Sequence, residues 1–212
     1  MTISWYGEAC FLLENSGVRV LIEPPQKDSG INPPRLKSDI LICRPDADIA
    51  GALSESSFII NGPGEYEIKG INILGIADPS TDSGQVNTIY NIEVDGVKIC
   101  HLGFLKNDLD NEKLALIDDP DIALVPVGGG DVLDAETAMK LINKIEPSIA
   151  IPMLYNIEKI SAKGGSAFGG KRAPLAIFLK ESEAKEPSQP KLTIKKKDIN
   201  EEETKIVILE KI

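Results

Sequence analysis

The sequence predicts an α/β (α+β) domain built from two mixed β-sheets packed together, with helices on the outside. Three observations carry that expectation. Short strand-like runs separated by turn residues fill the first half of the chain. A strand–helix–strand unit stands in the second half. The 212 residues suit a single domain, 1–212, with enough length to bury a core.

Taken in order, Cys10–Glu14 and Val18–Glu23 flank Asn15-Ser16-Gly17 and read as a hairpin. Ile40–Cys43 is a continuous apolar run, which suits a strand buried on both faces. Phe58–Ile60 precedes the turn Gly62-Pro63-Gly64, after which Glu65–Ile68 and Ile71–Ile76 alternate as strands. Thr88–Val94 and Val97–Cys100 flank Asp95-Gly96, a second hairpin signal. Ile122–Val127 is a buried strand that runs into Gly128-Gly129-Gly130. Asp134 is placed as the N-cap of a helix whose apolar positions Ala138, Leu141, Ile142 and Ile145 repeat at helical spacing before Pro147. Ser148–Met153 completes the βαβ unit. Beyond the glycine-rich loop 164–170, Pro174–Lys185 reads as a helix, and Lys191–Lys196 and Thr204–Leu209 as two final strands.

Composition narrows the function. A formal charge of −10 disfavours a nucleic-acid partner, because that binding draws on a basic surface. The dense basic run Lys195-Lys196-Lys197 is flanked by Asp198 and Glu201–Glu203, as in a solvated turn. No stretch approaches the roughly 20 apolar residues of a membrane span. Met1–Trp5 has no basic region followed by an apolar run, so neither membrane nor secretion is expected and the location expected is cytoplasmic. Cys10, Cys43 and Cys100 sit at unpatterned spacings among apolar neighbours, as buried reduced thiols do. One histidine, His101, cannot supply a polyhistidine zinc site in any fold.

Four segments, spread over nearly the whole chain, carry a family resemblance. They are Trp5–Phe11 with Leu21–Pro24; Asp39–Ile42 and the loop after it; Asn61–Glu67; and Asp121–Gly129 with Ile145–Pro147 and Ile151–Tyr155. The chain resembles the metallo-β-lactamase superfamily, in the branch of predicted zinc-dependent hydrolases related to the ascorbate-6-phosphate lactonases. The resemblance implies a four-layer αββα sandwich of two mixed sheets.

The resemblance also implies where metal ligands belong. The family's His-x-His-x-Asp-His loop falls on Arg44-Pro45-Asp46-Ala47-Asp48-Ile49, where Asp48 alone matches. A metal-bridging aspartate is expected where Phe104 stands, after His101-Leu102-Gly103, and a final histidine where Leu154 stands. The early Gly-His pair is Gly7-Glu8, and the Asp-Pro pair is Glu23-Pro24. Arginine is always protonated and cannot ligate, and Ile49, Phe104 and Leu154 offer no donor. On this reading Arg44, Asp46, Asp48, Ile49, His101, Phe104 and Leu154 mark a vestigial site, and no cofactor is expected. Arg44 would restore positive charge by lying against Asp46 or Asp48.

Two functions follow. The first is a non-catalytic binding or assembly protein, recognising an unknown protein partner or small molecule and open to homo-oligomer formation. The alternative is a hydrolase of a small ester, lactone or phosphorylated metabolite with a rebuilt site. That site would draw a divalent metal (Mg, Mn or Zn) to Asp46, Asp48 and His101, with Glu65 and Glu67 sharing one strand face nearby. A small-anion site at Arg44 and Gly128–Gly130 is a third, more remote reading, since no Lys or Ser/Thr follows at phosphate-loop spacing.

Overall fold

The computed structural model describes residues 1–15, 17–26, 29, 31, 36–49, 57–79, 86–157, 172–185, 187–200 and 202–212. Two mixed sheets form from them. Sheet A contains β1 (Thr2–Trp5), β2 (Phe11–Asn15), β3 (Val18–Ile22), β4 (Ile40–Ile42), β5 (Phe58–Ile60) and β12 (Leu192–Thr193), in the order β12-β1-β2-β3-β4-β5. Sheet B contains β6 (Gly64–Ile68), β7 (Ile71–Asp78), β8 (Asn87–Val94), β9 (Val97–His101), β10 (Ile122–Pro126), β11 (Ile149–Met153) and β13 (Lys205–Ile206), in the order β13-β11-β10-β9-β8-β7-β6.

Alternation decides which side chains fill the middle. In the β2–β3 hairpin, where Phe11 faces Ile22 in register, Phe11, Leu13, Val20 and Ile22 enter the main core. Their neighbours Leu12 and Leu21 point the other way, joining Cys10 and Leu41 in a second cluster against Tyr6, Leu36 and Ile49. Strand β4 is buried throughout because it lies between β3 and β5, parallel to both, and feeds both clusters. This is why its sequence is an unbroken apolar run.

The βαβ unit is present as expected, with β10 parallel to β11 over Ile122↔Ile149 to Pro126↔Met153. Its helix, α2 (Ala135–Ile145), is capped by the Asp134 carboxylate, which accepts a hydrogen bond from the Thr137 amide at 2.8 Å. It buries Ala135, Ala138, Leu141 and Ile142; the last two contribute roughly 1.5–3 kcal/mol each by leaving water. A left-handed residue, Glu146, ends it. Helix α3 (Leu175–Ser182) packs against α2 and seals Phe178.

Two expectations change. The last strands are much shorter than the expected 191–196 and 204–209: β12 edges sheet A beside β1, and β13 edges sheet B beside β11. The segment between them makes a 3-10 turn at Lys196–Asp198, where the lysines are exposed and Lys196 pairs with Asp121 at 2.7 Å. Helix α1 (Asn111–Leu116), capped by Asp110, has no counterpart in the sequence reading. Six residues are too few to display a helical period. Among the described residues no helix is long and apolar enough to cross a membrane.

Candidate functional site

Strands β1, β3 and β4 run in the same sense in sheet A, as do β9, β10 and β11 in sheet B, and ligands in such sheets meet the chain at the carboxyl ends. The loops after these six strands carry Glu8, Glu23, Arg44, Phe104, Asp131 and Leu154. They meet in a cleft between the sheets.

Two guanidinium groups organise it. Arg172 is 3% exposed and holds Asp131 with a two-pronged bond, Nε to Oδ1 at 3.1 Å and Nη2 to Oδ2 at 2.9 Å, while Nη1 donates to Glu8 Oε2. It thereby ties the β1–β2 loop of one sheet to the loop after β10 of the other. Burial pulls the Arg172 guanidinium down, but the bonds and charges of Asp131 and Glu8 hold it above its ordinary value. Arg44 donates from Nε to Glu23 Oε2 at 3.3 Å, and its Cζ lies 4.4 Å from the centre of the Phe104 ring. Glu23 is so deeply buried that its carboxyl is pushed up to about 7, despite the opposing pull of Arg44.

Arg44 thus has a carboxylate partner from outside its own loop. Its ion pair runs to Glu23, a strand away, whereas Asp46 and Asp48 are exposed on the loop after β4. The Asp48 amide donates to the Gln26 side chain at 2.8 Å.

His101 is fully buried and both ring nitrogens are engaged. Nε2 donates to the Ala9 carbonyl at 3.0 Å, and Nδ1 accepts from the Gly103 amide at 3.1 Å. That network fixes the neutral form, and burial pulls the imidazole down to about 4. Phe104 carries the cation–π contact, with its amide donating to Asn87 Oδ1 at 2.8 Å. Ile49 packs on the second cluster behind sheet A. Leu154 is fully buried. Glu65 and Glu67 share a face of β6 as expected, but they line a separate groove on sheet B and do not join Asp46, Asp48 or His101. The thiols are all buried and unpaired; burial pushes Cys43 up to about 12 and Cys10 well above its ordinary value, so neither is an activated nucleophile.

The Gly128–Gly130 turn serves backbone packing. A Cβ on Gly128 would lie 2.1 Å from the Leu154 carbonyl oxygen, and Asp134 already answers the helix behind it. Arg172, the hub of the cleft, follows residues 164–171, which lie outside the described residues. Neither it nor Asp131 carries a sequence signal of its role.

Three of the eight non-glycine residues with positive φ among the described residues lie at the cleft. Glu8, Glu23 and Leu154 have φ of 50°, 44° and 59°, in the left-handed region that side chains disfavour. All three stand where the resemblance places family ligands. Such strain persists only where surrounding structure holds it.

These residues do not fit a metal centre. Among the described residues no three His, Cys, Asp or Glu side chains converge on one point. The carboxylates of Glu8, Glu23 and Asp131 face guanidinium groups, His101 has no lone pair to give, and the cleft retains a void of about 20 Å³, room for about one water.

The beta-lactamase superfamily domain model matches residues 2–154. The chain belongs to the metallo-β-lactamase superfamily. It is 30% identical over 190 residues to a UPF0173 metal-dependent hydrolase of Thermoplasma acidophilum, covering 74% of this chain and 84% of that protein. A UPF0173 protein of Pyrococcus abyssi is 31% identical over 205 residues, covering 81% and 90%. A proposed Zn-dependent hydrolase of the superfamily from Thermotoga maritima superposes with a TM-score of 0.81 at 26% identity, over 98% of this chain and 97% of that one. The two mixed sheets and flanking helices are thus the metallo-β-lactamase sandwich. These relatives correct the expectation that no cofactor be assigned: several are named metal-dependent hydrolases, which points to a divalent metal.

Proposed function

We propose that this superfamily member has exchanged the dinuclear centre of its fold for two carboxylate–guanidinium units, and that it works by binding or assembly. The observation that supports this reading is Arg172, held between Glu8 and Asp131 inside the cleft. A guanidinium there neutralises carboxylates from both sheets and closes the space where a reacting group would stand. The left-handed backbone at Glu8, Glu23 and Leu154 fits a scaffold that kept the frame of a site after its side chains changed.

A second reading has its own support in the names of the relatives: a metal-dependent hydrolase of a small ester, lactone or phosphorylated metabolite. Its metal would have to draw on carboxylates such as Asp46 and Asp48 beside the cleft. An activity screen decides between them. The chain is supplied with zinc, manganese or magnesium and offered ester, lactone and phosphodiester substrates. The first reading expects no turnover above buffer. Saturable, metal-dependent turnover that Asp48→Asn abolishes would establish the second.

A further inference from the structure

We infer that the outer face of sheet B is a docking groove for an extended, basic protein segment. The groove has a volume of about 440 Å³, on the face of β6–β9 that carries Glu65, Glu67, Asn72, Leu74, Asn91 and Glu93. Helix α1 covers one end of this face, where Ile76 and Asp78 are buried, Lys113 pairs with Asp78 at 2.9 Å, and Asn91 donates to the Leu116 carbonyl. Beyond the helix the face is open.

Charge complementarity identifies the occupant. Glu65, Glu67 and Glu93 are exposed; the groove's own cation, Lys98, stands opposite Glu93 in register but gives its ion pair to Asp118, so the carboxylates outnumber the cations that line the groove. Register places Glu67, Asn72, Glu93 and Lys98 in one row across four strands, and Glu65, Leu74 and Asn91 in the next. Neighbouring strands lie roughly 4.8 Å apart, so Glu67 and Glu93 are roughly 10 Å apart, and Glu65 and Glu67 roughly 7 Å. These are the spacings of one pleated face. They match cationic side chains at alternate positions of an extended chain, with an apolar residue set against Leu74. Strand β6 is the edge of its sheet, and an added strand would satisfy its outward backbone groups while placing alternate lysines opposite Glu65 and Glu67.

The test uses the full chain and a fluorescein-labelled peptide, Lys-Val-Lys-Leu-Lys-Val, with the glutamate-for-lysine peptide as comparator. Polarisation should report saturable binding of the lysine peptide alone. The triple variant Glu65→Gln, Glu67→Gln, Glu93→Gln should weaken it at least tenfold. A second triple, Glu181→Gln, Glu183→Gln, Glu202→Gln, changes net charge equally at exposed sites elsewhere and should leave affinity within about twofold. No binding to the natural chain, or equal losses in the two triples, would overturn the inference. So would sedimentation showing that the groove triple dissociates a homo-oligomer, which would make a second copy the occupant.

Discussion

The cleft and the outer groove treat the same chemical group in opposite ways. In the cleft, Glu23 is buried and Glu8 and Asp131 are largely shielded, the backbone at Glu8 and Glu23 is left-handed, and a guanidinium stands against all three carboxylates. In the groove, Glu65, Glu67 and Glu93 lie exposed on regular strands, and the one lysine in the lining, Lys98 opposite Glu93, gives its ion pair to Asp118. A buried charge must be paired within the chain, because desolvation costs several kcal/mol. A solvated charge can be left for something else to meet. The contrast teaches that where the sheets enclose a carboxylate the chain supplies its counter-charge, and where they leave it in water they need not.

The sharpest way to break the comparison is at Arg172. Arg172→Ala would leave Glu8 and Asp131 facing each other without a cation, and urea unfolding should show a loss of about 3–5 kcal/mol. Arg172→Lys keeps the charge but loses the two-pronged bond, and an intermediate loss is expected. A change below about 1 kcal/mol on removing Arg172 would mean the cleft is no more tightly built than the surface.

The next effect is read as a slope against pH. His101 lies at about 4 in the folded chain and near its ordinary 6.5 when unfolded. As pH falls through that window the unfolded chain takes the proton first, so stability falls with acid. Glu23 lies at about 7 folded and near 4.5 unfolded. As pH rises through its window the unfolded chain releases the proton first, so stability falls with base. Each is worth up to about 3 kcal/mol over its full window, and they oppose one another between 4.5 and 6.5. Denaturation midpoints at several pH values should therefore rise with pH more steeply in Glu23→Gln than in the natural chain. In His101→Asn they should fall as pH rises. Slopes unaltered by either change would show that these groups do not titrate as buried residues.

Arg44→Ala should cost less, about 1–2 kcal/mol at pH 8, where Glu23 is ionised and would lose its partner, and little at pH 5, where Glu23 is neutral. Equal costs at the two pH values would assign Arg44 a packing role on Phe104 instead. The smallest effect is expected in the groove: Glu67→Gln and Glu93→Gln should each move stability by no more than about 0.5 kcal/mol. A larger loss would mean those carboxylates already have an internal partner.

Much of the fold was legible because its signals are local. The β2–β3 hairpin, the unbroken β4, the Asp134 cap and the βαβ unit follow from alternation, apolar runs and turn chemistry, and each forms where those patterns stand. Helix α1 was not legible, being too short to display a helical period, and the two final strands expected over 191–196 and 204–209 shrank to short edge pairs because only part of each reaches a neighbouring strand.

The sequence by itself determined the scaffold and the single histidine, since strand patterning and residue identity are read directly from it. The tertiary structure decided the pairing. Arg44 met Glu23 across 21 positions, and Arg172 reached Glu8 across 164. The sheets bring Glu8, Asp131 and Arg172 into one desolvated space, and burial gives a charge its partner by proximity in the fold, which spacing along the chain does not record.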